Sequence, residues 1–195
     1  MSTHVHSPPN SASQDADAEF LRFLDDLAHE FHRHRRLVDK ALGEIDDATF
    51  FHPPGPGVNP IAVIVKHLAG SMRSRWTDFG RSDGEKPDRD RDGEFAITAS
   101  DTRAAPLERW AAAWTALDGT LATLRADPSR WRVATATIRG EAHSVTQALL
   151  RGAGHVAYHT GQILYLVRWM KPDASWQTIA PGASGAARGA YRAGG

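Results

Sequence analysis

The chain of 195 residues has 23 basic and 23 acidic side chains, so its formal net charge is zero when the histidines are neutral. A chain without net charge has no overall attraction for nucleic acid or an anionic membrane, and we expect neither partner. Cysteine is absent, which excludes disulfides, thiolate metal ligands and a cysteine nucleophile. The length predicts one domain with tails, large enough to bury a core without covalent cross-links.

Both ends of the chain have the composition of tails. Residues 1–13 are polar and contain two prolines, which predicts a disordered N-terminal tail, and residues 173–195 are rich in glycine and alanine, which predicts a flexible C-terminal tail. Residues 14–172 are therefore the expected folded domain. The first residues lack the basic start and apolar segment of a signal peptide, and no apolar run has the length of a membrane span. We expect a cytoplasmic protein.

The first predicted helix runs from about Asp15 to Ile45. Its apolar residues recur at spacings of three and four, which is the period of an amphipathic helix. His34 falls on this apolar stripe and is expected to face the interior. It is either a core histidine hydrogen-bonded to a neighbour or a residue near a metal ion, in contact with its ligands or lining its pocket.

The second predicted helix follows a loop dense in proline and glycine, Asp46–Val58. Asn59 and Pro60 predict its start, because a capping residue followed by proline at the first helical position is a common helix opening. His67 lies on the flank of the apolar stripe of this helix, where a groove between helices is expected. His67 is either a histidine at the rim of the core or a metal ligand.

A charged loop and a third helix come next. Charges of both signs alternate through Arg81–Thr102, which predicts a loop exposed to solvent. The third helix is predicted over Ala105–Arg125, with large aromatic and leucine side chains at helical spacing that are typical of a core. The alternating segment Trp131–His143 contains the turn-like residues Arg139 and Gly140, so a short hairpin is plausible there.

The fourth predicted helix, about Ser144–Met170, contains two histidines four residues apart. This spacing places the side chains of His155 and His159 one turn apart on the same face. His159 falls inside the apolar stripe and His155 at its edge. Buried imidazoles are unfavourable unless their nitrogens find partners, and one metal ion would satisfy both.

Two other residues of the fourth helix refine this hypothesis. Val156 stands where a zinc peptidase of the His-Glu-x-x-His type has its catalytic glutamate, so peptide hydrolysis by that mechanism is not expected. Gln162 lies near the edge that carries His155. It either orients a metal ligand or a bound water, or is simply a polar residue at the boundary of the buried face.

Four long amphipathic helices predict an all-α fold, a four-helix bundle, with a possible short hairpin before the fourth helix. In such a bundle a site is built from side chains on facing helices. The second and fourth helices would have to pack so that His67 approaches His155 and His159. The pattern of the residues permits this convergence without requiring it.

Two segments carry a resemblance to a known family. The segment from Asn59 to Gly70, NPIAVIVKHLAG, and the segment from His155 to Ile163, HVAYHTGQI, resemble the DinB/YfiT-like superfamily of metal-dependent proteins, over roughly residues 15–172. The stretches DGEKP and TIRGEAHSV are similar to one uncharacterised branch of it. The resemblance implies a four-helix bundle, often a homodimer, in which His67, His155 and His159 bind a divalent metal ion.

The resemblance also implies a chemistry. Three neutral imidazoles leave coordination positions open, which is typical of a catalytic site, and nitrogen ligands suit transition metals, with zinc or nickel expected first. Some relatives resemble transferases that use a low-molecular-weight thiol, so we expect a metal-dependent, thiol-dependent S-transferase acting on a small molecule. The reacting group would be a metal-bound water or thiol. The alternatives are a metal-dependent hydrolase and a non-catalytic metal-binding or stress-response protein.

Overall fold

The computed structural model describes residues 11–172, which are mostly helical with one small two-stranded sheet. The expectation of a mostly helical fold is confirmed. Seven helices and two strands follow one another along these residues: α1 Ser11–Gly43, α2 Asp47–Phe51, α3 Ile61–Trp76, α4 Arg91–Glu94, α5 Ala104–Ala126, α6 Pro128–Trp131, β1 Thr135–Ile138, β2 Glu141–Ser144 and α7 Val145–Met170.

The four long helices α1, α3, α5 and α7 correspond to the four helices predicted from the sequence. Helix α1 begins at Ser11, so the last three residues of the predicted N-terminal tail belong to a helix. The rest of that tail and the predicted C-terminal tail, 173–195, lie outside the described residues. Helix α3 begins one residue later than predicted, because Pro60 is its N-cap and no side chain caps it.

Three short helices lie in segments that the sequence pattern assigned to loops or left unassigned. Each is capped by an aspartate whose carboxylate accepts a hydrogen bond from a backbone N–H three residues ahead. Asp46 caps α2, Asp90 caps α4 and Asp127 caps α6. Helices of four or five residues are too short to show an apolar period, which is why only their caps could have predicted them.

The predicted hairpin is present. Strands β1 and β2 pair antiparallel with Thr135 opposite Ser144 and Ile138 opposite Glu141. The connecting residues Arg139 and Gly140 have φ values of 55° and 78°. Two successive positive φ angles are typical of the type I′ turn that joins two-residue hairpins.

The long helices share one apolar core. Helix α3 packs most extensively against α5, α1 packs against α7, and α3 also contacts α7. At the centre, the ring of Phe31 meets the rings of Trp76 and Trp114 edge to face, with centroids 6.0 and 6.4 Å apart. None of the described helices combines the length and the apolar character needed to cross a membrane.

The charged segment between α3 and α5 folds back onto α3. Lys66 donates hydrogen bonds to the Ala96 carbonyl at 2.6 Å and to the Asp101 carboxylate at 3.3 Å. Ser74 donates to the Gly84 carbonyl at 3.1 Å. These bonds tie both ends of the segment to α3, so that α4 lies beside the middle of that helix.

Candidate metal centre

Helices α3 and α7 bring three histidines together. The Nε2 atom of His155 lies 3.2 Å from Nε2 of His67 and 3.1 Å from Nε2 of His159. One nitrogen from each ring lies within 4.8 Å of the other two. The three residues that the family resemblance implied as metal ligands therefore lie together. His67 is buried, and His155 and His159 are half-buried.

Two of the three separations between these nitrogens are close to those around a bound ion. An ion with tetrahedral ligands at about 2.0–2.1 Å separates its ligand nitrogens by about 3.3–3.4 Å. The two Nε2 distances fall just below that value. The rings cross nearly at right angles, at 82° for His67 and His155 and 88° for His155 and His159. Nitrogens that converge from crossed rings suit a single central cation.

In two of these histidines the other ring nitrogen, Nδ1, donates a hydrogen bond to a side-chain oxygen. Nδ1 of His67 donates to Oε2 of Glu94 at 3.0 Å, and Nδ1 of His159 donates to Oε1 of Gln162 at 2.7 Å. A neutral imidazole with a proton on Nδ1 has a lone pair on Nε2. Both lone pairs are therefore directed at Nε2 of His155. Orienting partners of this kind are typical of metal-binding histidines.

Hydrogen bonds among the three rings cannot satisfy all of them. Neutral His155 has at most one proton on Nε2, so it can donate either to His67 or to His159 but not to both. One buried lone pair is then left without a donor, which is unfavourable. A metal ion accepts all three lone pairs at once, and this set of neutral nitrogen donors fits a divalent transition metal.

The electrostatics keep two of the rings neutral. Burial, followed by the charges that His159 and His67 would carry, lowers the pKa of His155 to about 3. Burial also lowers the pKa of His159, although its hydrogen bond to Gln162 works in the opposite direction. Neutral imidazole is the form that binds metal, so these two residues are in the binding form at neutral pH.

Glu94 is the central partner that the sequence pattern missed. The expectation that the whole segment Arg81–Thr102 is a solvated loop is wrong for this residue, which is buried on α4. Arg89 contacts both of its carboxylate oxygens at 2.7 Å. Burial alone would raise the pKa of Glu94, but the hydrogen bonds from Arg89 and His67 outweigh it and lower the pKa. The carboxylate is therefore ionised where it accepts from His67.

A glycine makes room for this carboxylate. A Cβ atom added at Gly70 of α3 would lie 1.9 Å from Oε1 of Glu94 and 2.6 Å from its Cδ. No side chain could stand at position 70 without displacing Glu94. Gly70 lies in the segment NPIAVIVKHLAG that carried the family resemblance, three residues after His67. This spacing is a local signal that some group from another element approaches α3 there.

A cavity of about 520 Å³ adjoins the three histidines between the first half of α3 and the second half of α7. His67 and His159 line it and His155 does not. Its other walls are mainly apolar and aromatic and include Val63, Ile64, Phe95, Tyr158, Tyr165 and Leu166. Among residues 11–172, no aspartate, glutamate, lysine or arginine lines it. Another cavity, of about 290 Å³, lies beside Trp76 and Trp131, and none of the three histidines lines it.

Comparison with family models assigns the chain to a family. The family model described as "Protein of unknown function (DUF1572)" matches residues 18–183. The chain belongs to this family. No curated protein and no solved structure matches the chain. The matched range includes all described helices and strands except the first residues of α1. The family description assigns no activity.

In this DUF1572 protein, Gln162 contacts one of the three histidines, whereas His34, the other residue proposed near the site, does not. Gln162 holds Nδ1 of His159 and lines the cavity. His34 lies on α1, and its buried Nδ1 has no hydrogen-bond partner among the described residues. Burial, followed by the charge of Arg33, lowers its pKa. Within residues 11–172, His34 neither bonds to the three histidines nor lines their cavity.

Proposed function

We propose that this DUF1572 protein is a DinB-like four-helix bundle that binds one divalent transition metal ion, zinc or nickel, through His67, His155 and His159. The observation that carries the proposal is the convergence of three Nε2 atoms, of which two have lone pairs fixed by Glu94 and Gln162. The DinB-like assignment rests on the resemblance of the two histidine segments and on the four long helices.

Three features favour a catalytic metal over a purely structural one. Among the described residues, the converging group consists of three histidines, whereas a structural zinc site is usually closed by four protein ligands. His67 and His159 line a cavity large enough for a small molecule. The cavity adjoins the histidines, so a small molecule bound in it would lie beside a metal ion that they held. A non-catalytic metal-binding or stress-response role remains the alternative.

The cavity indicates the class of substrate. The described residues that line the cavity are mainly apolar and aromatic and include no acidic or basic side chain, which favours a neutral small molecule with an apolar or aromatic body. Gln162 and Asn59 are polar groups on the wall that can orient it. Tyr158 is exposed and stands edge-on to the ring of His159, with centroids 5.0 Å apart. We therefore place the reacting end of the substrate near His159 and its apolar body toward Phe95 and Tyr165.

The reaction we propose joins a small thiol to an electrophilic carbon of the substrate. The thiol loses its proton, a carbon–sulfur bond forms, and the leaving group of the substrate, such as chloride, departs with its electron pair. A divalent ion bound by the three histidines would lower the pKa of a bound thiol or water toward the neutral range. The chain has no cysteine, so the thiol would be a separate cosubstrate. Hydrolysis would benefit from a carboxylate base in the cavity, and Glu94 is instead engaged by Arg89 and His67. This makes thiol transfer the preferred reaction and hydrolysis the alternative.

The test compares protein loaded with zinc or nickel with protein stripped of metal. Glutathione, cysteine and 2-mercaptoethanol serve as thiols, 1-chloro-2,4-dinitrobenzene as the electrophile, and 4-nitrophenyl acetate as the probe for hydrolysis. We expect metal-dependent conjugation that His159→Ala abolishes. Val58→Trp, at the rim of the cavity, should raise KM without removing the metal. Metal-bound protein that is inactive with every thiol and hydrolyses the ester would favour the hydrolase instead.

We also propose that the protein is a homodimer, as the resemblance to the DinB-like superfamily implies. The test is light scattering coupled to size exclusion, on protein at several concentrations. A mass of twice the chain mass at all of them supports the proposal. A monomer at every concentration contradicts it, without bearing on the metal centre, because all three histidines belong to one chain.

A further inference from the structure

Arg89, in the segment between α3 and α4, has a buried side chain that is 5% exposed. It lies between two carboxylates. Its Nε and Nη2 atoms each donate to one oxygen of Glu94 at 2.7 Å, and its Nη1 atom donates to the oxygens of Glu85 at 3.1 and 3.3 Å. A buried guanidinium group is unfavourable unless acids compensate its charge, and these two acids do so. Arg89 therefore joins Glu85 to Glu94.

The Glu94 side of Arg89 leads to the metal centre. Oε2 of Glu94 accepts from Arg89 at 2.7 Å and from Nδ1 of His67 at 3.0 Å. The guanidinium thus fixes the same oxygen atom that orients His67. No hydrogen bond joins Arg89 to a histidine in the described part of the chain, and Arg89 does not line the cavity. An effect of Arg89 on His67 must therefore pass through Glu94.

The Glu85 side leads to the hairpin turn. Glu85 accepts from Nε of Arg139 at 3.2 Å. The carboxylate of Asp83 accepts from the backbone N–H of Glu85 at 2.7 Å. It also accepts from the backbone N–H groups of Arg139 and Gly140, at 2.8 and 2.7 Å. Hydrogen bonds to a carboxylate are among the stronger ones, so residues 83–85 are fastened to the turn between β1 and β2, and both strands pack against α7.

The position of Glu94 depends on bonds of this kind. Helix α4 has four residues, and a helix this short is not stable without contacts to the rest of the protein. After Glu94, the chain is fixed to α3 by Lys66, which donates to the Ala96 carbonyl at 2.6 Å. Before it, Arg89 supplies the anchor through its bonds to Glu85 and Glu94. The chain is thus held on both sides of the carboxylate.

We propose that Arg89 is a positioning residue of the metal centre, which fixes Glu94 against His67 and ties this pair to the hairpin turn. This role rests on the metal binding proposed above. A planar guanidinium offers paired donors to two carboxylates at once, and the ammonium group of lysine does not. Charge alone would act in the opposite direction, because a cation near the centre repels a metal ion. Weaker metal binding on loss of Arg89 would therefore report lost positioning.

The test is competition with a chromophoric zinc chelator on the full-length Arg89→Lys variant, which keeps the positive charge and loses the paired donors. We expect this variant to bind zinc about tenfold more weakly than the parent, as is typical when a group that orients a metal ligand is disturbed. The matched control is Arg73→Lys, because Arg73 is an exposed arginine of α3 that pairs with Asp88. The affinity of the control should equal that of the parent.

A double-mutant cycle separates positioning from a general loss of stability. In the Glu94→Gln background, Arg89→Lys should not weaken zinc binding further, because its effect passes through the carboxylate. A role confined to stabilising the fold would weaken binding equally in both backgrounds. Equal affinities of the Arg89→Lys variant and the parent, or the same loss in both backgrounds, would overturn the proposal.

A second variant is used if Arg89→Lys does not fold by circular dichroism. Glu85→Ala, at a side chain that is 27% exposed, removes the acceptor that ties Arg89 to the hairpin turn. It should weaken zinc binding several-fold. Unchanged zinc binding by a folded Glu85→Ala protein would overturn the proposed link to the hairpin.

Nitrogen NMR of the metal-free protein separates this proposal from metal binding itself. Ring couplings distinguish a proton on Nδ1 of His67 from one on Nε2, and His67→Gln assigns the signal. We expect the Nδ1 form in the parent and in Arg73→Lys, and a smaller share of it in Arg89→Lys. The same share in all three would overturn the positioning role. If the share changes as expected but the parent takes up no zinc, the metal centre alone is refuted, and Arg89 still orients His67.

Discussion

Glu94 and His67 are joined by a hydrogen bond of 3.0 Å between Oε2 and Nδ1, although 27 residues separate them in the chain. The bond fixes the proton of His67 on Nδ1 and leaves its Nε2 lone pair directed at His155. Arg89 neutralises the buried carboxylate by donating to both of its oxygens at 2.7 Å. The residues that surround the histidines therefore determine what the three rings can bind.

Glu94→Gln should weaken metal binding by about 10–100-fold, because the ionised acceptor that orients His67 is lost. Competition with a chromophoric zinc chelator measures the affinity. Asp92→Asn is the matched control, since Asp92 is an exposed acid on the same short helix. Equal affinities of the Glu94→Gln variant and the parent would show that this carboxylate does not orient a ligand.

Gln162→Leu should weaken metal binding by about tenfold, because Nδ1 of His159 loses its acceptor at 2.7 Å and the ring can change tautomer. The same competition assay applies. Gln147→Leu, an exposed position on the same helix, should leave the affinity unchanged. If both variants bind metal like the parent, Gln162 is only a polar residue at the boundary of the helix face.

Gly70→Ala should lower the unfolding free energy by about 1–3 kcal/mol, because the added methyl group collides with the Glu94 carboxylate. It should also weaken metal binding, since Glu94 must move away from His67. Gly119→Ala on α5 is the control. A Cβ atom there meets no atom within 4 Å, so alanine should stabilise that helix by up to about 1 kcal/mol.

Chemical denaturation, with and without zinc, measures both effects of the Gly70 variant. A Gly70→Ala protein that matches the parent in stability and metal affinity would mean that Glu94 does not occupy the position described. The Gly119→Ala result shows whether a helical alanine is tolerated elsewhere in the same fold.

Metal-free protein should lose stability as the pH falls below about 6.5. Burial lowers the pKa of His155 to about 3 and also lowers that of His159, whereas histidines of the unfolded chain titrate near 6.5. Between these values the unfolded state binds more protons, so the unfolding free energy decreases as the pH decreases. The lowered pKa of Glu94 adds to the loss only at more acidic pH, below about 4.5.

Thermal unfolding of the stripped protein at about pH 7 and about pH 5 tests this dependence. His155→Gln removes one buried imidazole that resists protonation, so its Tm should fall less between the two pH values than that of the parent. The same Tm of the parent at both pH values would contradict the conclusion that His155 and His159 are neutral in the folded state. An equal fall in Tm for the variant and the parent would contradict it too.

The long helices could be predicted from the sequence because their apolar residues repeat over many turns. The hairpin was predicted because Arg139 and Gly140 combine turn chemistry with alternating neighbours. The short helix α4 could not be predicted in the same way. It forms through one aspartate cap and through bonds to α3 that join residues distant in the chain.

The candidate site was predicted in part. The spacing of His155 and His159 placed them on one face, and the family resemblance added His67. Glu94 could not be predicted, because an isolated glutamate in a charged segment has the same local pattern whether it is exposed or buried. Only the packing of α4 against Gly70 distinguishes a buried glutamate from an exposed one here. His34 shared the apolar face of its helix, but a shared face does not determine which neighbour a side chain contacts.

Metal binding by the three histidines is tested most directly by elemental analysis of untagged protein purified without chelator, beside His155→Ala and His159→Ala variants. We expect about one equivalent of a transition metal per chain in the parent, and its loss in both variants, with the helical circular dichroism retained. A parent that contains no metal, even after incubation with zinc and with nickel, would contradict it, and the three histidines would then be core residues.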